Sequence, residues 1–133
     1  MAAQSPPCIK SERRGSCVVL TILEPQMRNF EKVTQIKLEI LAAVQESLPT
    51  TVILDLTHVN FVGSVGFLAF LAIRRQPSVE NIVLCNLDPN VHKLFSICKL
   101  IPEGSDSSAP LQIAATIEEA MARYASTGGP TAG

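Results

Sequence analysis

Tryptophan is absent from this 133-residue chain, and five Phe and one Tyr are its only other aromatic residues. Aromatics this scarce point to an aliphatic α/β core rather than an aromatic-rich binding surface. Charge of one sign is also missing. The formal net charge of −1 gives no bulk electrostatic attraction toward nucleic acid or an anionic membrane. The four cysteines, Cys8, Cys17, Cys85 and Cys98, contain no C-x-x-C pair and no metal-ligand spacing, so neither a metal nor another cofactor is expected. Cys85 and Cys98 lie in apolar runs and read as small core hydrophobes. Met1 to Gly15 has no apolar segment of the kind a signal peptide needs. The apolar stretch Phe61 to Ile73 is too short to cross a bilayer. No direct membrane insertion is expected, and the setting implied is reducing and cytoplasmic.

What is present is a regular alternation of strand and helix signals on a chain long enough for one core. Residues 1–15 are polar and Pro-containing and read as a flexible segment, with Cys8-Ile9-Lys10 as a candidate edge strand. Ser16 to Leu23 is apolar and β-branched, a strand stopped at Glu24-Pro25. From Phe30 to Leu48, Ile36, Ile40, Val44 and Leu48 recur at helical spacing, widened by Val33 and Leu41, while Lys32, Gln35, Glu39 and Glu46 face away. Pro49 ends this helix and Thr50 to Leu56 forms the next strand. A helix from Ser64 is predicted to run to Arg75. Asn81 to Asn86 is a further strand, and Asp88-Pro89 caps a short helix whose buried face carries Val91, Leu94, Phe95 and Cys98. Pro102 to Pro110 is a Ser/Gly/Pro loop, mobile by composition. Leu111 to Ala114 is a last strand, and Thr116-Ile-Glu-Glu119 a capping box that opens a final helix with Ile117, Ala120, Met121 and Tyr124 inward. The predicted fold is a single α/β domain over residues 16–124, with a mixed, mostly parallel sheet of four to five strands and about four helices. Residues 125–133 read as a disordered tail.

No catalytic constellation assembles from these residues. His58 and His92 read as a turn residue and a helix-surface residue, and Asp55 as a turn-capping carboxylate rather than a general base. Gly63-Ser-Val-Gly66 is neither a G-x-S-x-G elbow nor a P-loop, and Arg74-Arg75 reads as a helix C-terminal charge pair. Ser64 stands out by position. It directly precedes a helix whose first turns carry no charge, which by position alone reads first as an ordinary N-cap, with a regulatory hydroxyl as the alternative. Gly63 and Gly66 leave it approachable, and Val65, Phe67, Leu68, Phe70 and Leu71 cover more than one helix face, so apolar area is expected at the surface beside it.

At these residues the chain resembles the STAS domain family, which includes bacterial anti-sigma-factor antagonists, relatives in stress-signalling complexes and cytosolic domains of some anion transporters. The family pattern, an apolar strand followed by Asp-Leu-Ser-x-Val-x-Phe-Ile-Asp-Ser-Ser-Gly-Leu and an apolar helix, is matched by Asp55-Leu-Thr-His-Val-Asn-Phe-Val-Gly-Ser-Val-Gly-Phe67. Ile82 to Phe95 and Ile117-Glu-Glu-Ala120 extend the likeness, which covers about Ser16 to Tyr124. The resemblance implies a non-enzymatic binding module that holds a GHKL-type serine kinase acting as anti-sigma factor. Phosphorylation at Ser64 would release that partner, and a PP2C-type phosphatase would restore binding. Asn60, Gly63, Ser64, Val65, Gly66 and Phe67 are the implied contact residues, and a homodimer is left open. Gly63 stands where the family usually has aspartate, Val65 replaces a second serine, and Glu24-Pro25-Gln-Met replaces a Gly-x-Leu-Asp turn. These departures leave room for an alternative role as a scaffold or as an accessory subunit of a phospholipid-transport ABC complex, without phosphorylation.

Overall fold

A computed structural model of the chain describes residues 7–102 and 111–128, the side chains of residues 125–128 excepted. Its strands are β1 (Ile9–Arg14), β2 (Cys17–Ile22), β3 (Gln26–Met27), β4 (Thr51–Asp55), β5 (Phe61–Val62), β6 (Asn81–Cys85) and β7 (Gln112–Ala114). The helices are α1 (Phe30–Ser47), α2 (Ser64–Ile73), α3 (Pro89–Ile97) and α4 (Ile117–Gly128). The main sheet has five strands in the order β1-β2-β4-β6-β7. β2, β4, β6 and β7 run parallel, and β1 pairs antiparallel with β2 at the edge. This is the mixed, mostly parallel sheet and the set of helices that the sequence predicts.

The order of the elements dictates the layers. Each of α1, α2 and α3 connects one parallel strand to its next neighbour, and right-handed crossovers all moving the same way put the three helices on one face. That face holds Val18, Leu20, Val52, Leu54, Ile82 and Leu84 of the sheet beneath Ile36 and Ile40 of α1, Phe70 and Ile73 of α2, and Val91 and Phe95 of α3. The opposite face carries Cys17, Val19, Ile53, Val83, Cys85 and Ala114, covered by Ala120 of α4. Buried on both sides, β4 reads as an apolar run without alternation. Edge strand β1 is exposed after Ile9, and its Lys10, Glu12, Arg13 and Arg14 deter edge-to-edge pairing.

Several local readings change. Leu48 is exposed in a left-handed conformation (φ 48°), because it is the C-cap of α1 and not a member of the buried stripe. Cys98 is exposed, not core, since α3 ends at Ile97 before its apolar face returns to the sheet; Leu94 is half-buried. Glu39 turns partly inward, where its Oε1 accepts from the Cys8 and Ile9 amides (2.8 and 3.2 Å) and fixes the start of β1. α2 stops at Ile73, and Arg74 is its C-cap. α4 continues to Gly128, past Tyr124. Residues 103–110 of the expected loop and 129–133 of the expected tail lie outside the described residues. The two-stranded sheet of β3 and β5 was not anticipated.

Cys85 behaves as predicted. Burial, reinforced by the Asp55 and Glu119 carboxylates, pushes its thiol up to about 12, so it stays protonated and unreactive.

The aromatic residues of α2 and α3 lock the helical layer. The Phe95 ring lies edge-on to Phe67 at 4.9 Å and stacked on Phe70 at 6.0 Å between ring centroids. Both Phe95 and Phe70 are fully buried. Phe95→Ala is therefore expected to cost about 3–5 kcal/mol, read as a lower urea midpoint with little change in slope.

Candidate functional site

The site is built from the carboxyl ends of β2, β4 and β6. Asp55, the last residue of β4, is 8% exposed and gathers four hydrogen bonds. Its Oδ1 accepts from the Thr57 amide (3.1 Å), the Thr57 hydroxyl (2.6 Å) and Asn86 Nδ2 (2.9 Å). Its Oδ2 accepts from the Thr21 hydroxyl at 3.3 Å. Asp55 is thus the capping carboxylate that the sequence indicates. Burial alone would raise its pKa, but the donors from Thr57, Asn86 and Thr21 outweigh that and hold it below the usual carboxylate value.

The chain from Thr57 to Gly63 is pinned along its length. The Val59 amide donates to Leu56 O (3.0 Å), the Asn60 amide to Pro25 O (2.8 Å) and the Gly63 amide to Met27 O (2.9 Å). With the β3–β5 pairing, these bonds align the segment beside residues 25–28 and deliver Gly63 to the start of α2. Arg28 stacks over the Phe61 ring at 5.3 Å from its centroid.

The cap of α2 differs from expectation. Gly63, in extended conformation, is the N-cap, and Ser64 is the first helical residue. Gly63 has no side chain to satisfy the helix amides, whereas its carbonyl accepts from the Gly66 and Phe67 amides at 2.9 and 3.1 Å. The Ser64 side chain is exposed and makes no hydrogen bond among the described residues. A Cβ at Gly63 would meet Met27 O at 3.5 Å, an ordinary contact. The family aspartate would therefore fit here sterically, and glycine changes the chemistry rather than the packing.

The other predicted contact residues divide. Asn60 is exposed; Val65 and Phe67 are half-buried, with Phe67 committed to Phe95. Gly66 is buried and is no contact surface: a Cβ there would lie 2.7 Å from Val62 Cγ1 and 3.3 Å from Met27 Cβ. Its service is to let α2 settle onto the β3–β5 pair. His58 and His92 are both exposed, and neither joins Ser64 in any hydrogen bond among the described residues. Arg74 and Arg75 follow the C-terminus of α2 and are exposed.

Beside Ser64, α1 and α2 leave an apolar groove of about 130 Å³ lined by Phe30, Val33, Val65, Leu68 and Ala69, with Lys37 on its rim. Leu68 is 65% and Phe30 69% exposed. The expected surface apolar area next to the serine is present, and Phe30 extends it from a second helix. Phe30 was not singled out from the sequence. The signal available was its position off the Val33–Ile36–Ile40–Val44 stripe, which leaves an apolar side chain without a core to enter.

A STAS domain family model matches residues 9–120. The chain belongs to the STAS family. Its fold is similar to the anti-sigma factor antagonist SpoIIAA in its unphosphorylated form, with a TM-score of 0.68 and 24% identity over 89% of this chain and 96% of that one. The structure of a serine-to-glutamate variant of Moorella thermoacetica RsbS superposes with a TM-score of 0.62 at 15% identity, covering 90% of this chain and 97% of the other. The Bacillus cell fate determinant SpoIIAA in its phosphorylated form gives 0.59 at 24% identity, covering 86% and 97%. No curated protein sequence matches. Among the described residues no helix is long and apolar enough to cross a membrane, and no group of three or more His, Cys, Asp or Glu could hold a metal ion.

Two outcomes follow from this STAS site. Because the folded pKa of Asp55 is depressed, its contribution to stability is present above the unfolded value of about 3.9 and is lost as pH falls through the folded value. Urea titrations from neutral to acid pH should show Asp55→Asn losing less stability than the unmodified chain once pH drops below about 4. Gly66→Ala should cost about 1–3 kcal/mol by overpacking against Val62 and Met27, measured by thermal unfolding.

Proposed function

We propose that this STAS domain is a regulatory binding module of the anti-sigma-factor antagonist kind. It docks an ATP-dependent serine kinase over the Ser64 end of the α1–α2 groove, and phosphorylation of Ser64 releases that partner. The observation that carries the reading is the exposed Ser64 hydroxyl at the start of α2, without a hydrogen bond among the described residues and one helical turn before Leu68, which lines the groove with Phe30 and Val65. Asn60, Gly63 and Val65 complete the contact, while Gly66 and Phe67 hold α2 in place from below. A PP2C-type phosphatase reverses the modification, and no chemistry is performed by the module itself.

The electrostatics support such a division of labour. A phosphate adds about −1.5 to −2 charges, and burying it against an apolar partner surface is costly. The same anion at the first position of a helix meets the positive end of the dipole, so the domain keeps its fold. No acidic residue occupies the first turn of α2 to oppose it.

Ser64→Asp separates the two effects. Its melting temperature should equal or slightly exceed that of the unmodified chain, since an acid in the first turn contributes about 0.3–1 kcal/mol. Its affinity for the kinase, recovered from the native organism and measured by calorimetry, should fall at least tenfold, about 1.4 kcal/mol. Ser64→Ala should bind as the unmodified chain does and take up no phosphate. Unchanged kinase affinity in the folded Ser64→Asp protein would overturn the switch.

One observation favours a second reading. Gly63 places no carboxylate beside Ser64 and supplies no side-chain cap to α2. An accessory subunit or scaffold that uses the same groove permanently, such as a STAS component of a phospholipid-transport ABC complex, needs no such group. Co-purification with transporter subunits, with Ser64 unmodified by mass spectrometry, would select it.

A further inference from the structure

A second feature lies away from the Ser64 surface, at the other end of the row of parallel strands. β6 and β7 are parallel neighbours, yet the segments that follow them diverge. α3 packs on the α1–α2 face, and α4 crosses to the opposite face. Where adjacent strands send the chain to opposite sides, a crevice opens outside their carboxyl ends, and open α/β sheets bind small ligands there. In this chain the crevice is open to solvent and offers about 480 Å³, within the size range of small-molecule sites. Asn86, Leu87 and His92 form one wall; Ile113, Glu119 and Arg123 form the other.

The charged groups of this crevice are only partly engaged. Arg123 Nη1 donates to Ile113 O at 2.9 Å, and Arg123 Nη2 lies 3.5 Å from Glu119 Oε2. That ion pair is long and about half exposed, and guanidinium carries five donors, so Arg123 retains N–H groups for another acceptor. Glu119 is oriented by its other oxygen, which accepts the Ala115 amide at 2.6 Å. Asn86 is fixed with φ 58°; its Nδ2 is taken by Asp55, leaving Oδ1 as an acceptor, and its amide donates to Ala115 O at 3.2 Å. Leu87 and Ile113 are half-buried and supply apolar contact between these polar groups.

We propose that this crevice binds a small zwitterion, an apolar α-amino acid. Its carboxylate pairs with Arg123 and accepts from the His92 ring, and its ammonium lies between Glu119 Oε2 and Asn86 Oδ1. Its side chain rests on Leu87 and Ile113. The mixed sign of the site decides the class. A simple anion would face Glu119 and a simple cation would face Arg123, whereas a zwitterion satisfies both and takes over the two halves of a loose ion pair. The site shares no lining residue with the Ser64 groove, so it stands whether or not that surface is a phosphorylation switch.

The test is a titration of the full ¹⁵N-labelled chain with L-leucine, L-valine and L-methionine at millimolar concentration, followed by NMR. Saturable shifts of the Asn86, Ala115 and Arg123 amides are expected with at least one of them. 4-Methylpentanoate, which lacks the ammonium, and 3-methylbutylamine, which lacks the carboxylate, should each bind at least tenfold more weakly. Arg123→Gln and Glu119→Gln should weaken binding by a similar factor. No saturable shift with any of the three amino acids, or equal binding of either analogue, would overturn the proposal. The analogue comparison uses the unmodified chain and remains decisive even if a variant is poorly folded.

Discussion

A carboxylate at the end of a central strand cannot be buried without donors, and at Asp55 those donors come from three separate stretches of chain. Thr21 belongs to β2, Thr57 opens the segment toward Ser64, and Asn86 closes β6. One ionised group therefore ties together the ends of three adjacent strands, where connections would otherwise be free to splay. The penalty for removing such a partner is larger than the net worth of each bond, because the remaining groups are left unsatisfied in a confined place. The positions of Thr57 and Asn86, and through them the two loops that flank α2 and α3, follow from this tie.

The next constraint is the seat of α2. A helix with a serine at its start can present that serine outward only if its opposite side is fixed, and α2 is short and uncharged, so orientation comes from contact. Gly66 admits Val62 at a distance that a side chain would forbid, and Met27 at one that a side chain would crowd. Phe67 and Phe70 complete the fit against Phe95. Ser64 and Leu68 are left on the outer side by geometry. Exposure of the hydroxyl and close packing of the glycine two residues later are two faces of one arrangement.

The strand–helix alternation is legible in the sequence because each major element carries a redundant signal. β4 carries a continuous apolar core at Val52–Leu54, α1 has a four-membered stripe, and α3 opens with Asp88, whose side chain accepts the Asn90 amide at 2.9 Å, followed by Pro89. The family motif added a candidate location for the site, at Ser64. What the sequence concealed depends on contacts remote in the chain. β3 and β5 are two residues each, too short for any period, and exist because Gln26-Met27 meets Phe61-Val62. Ser64 outranks glycine as a cap by intrinsic preference, yet the cap falls on Gly63 because its amide is anchored to Met27 O. Leu48 and Cys98 continue apolar patterns past the points where their helices end.

These constraints separate what holds the fold from what stays exposed at the surface. The buried side of α2 rests on glycine and aromatic contacts, and the approach to it rests on backbone bonds and Asp55. None of these uses the Ser64 hydroxyl. A charge placed on that oxygen perturbs no hydrogen bond among the described residues and meets a helix end that favours anions. Its cost would fall on whatever apolar surface covers Leu68 and Phe30, because there the charge would lose water without gaining a counterion. A domain arranged in this way can change its affinity without paying in stability, and the physical requirement is only that the modified atom have no structural duty.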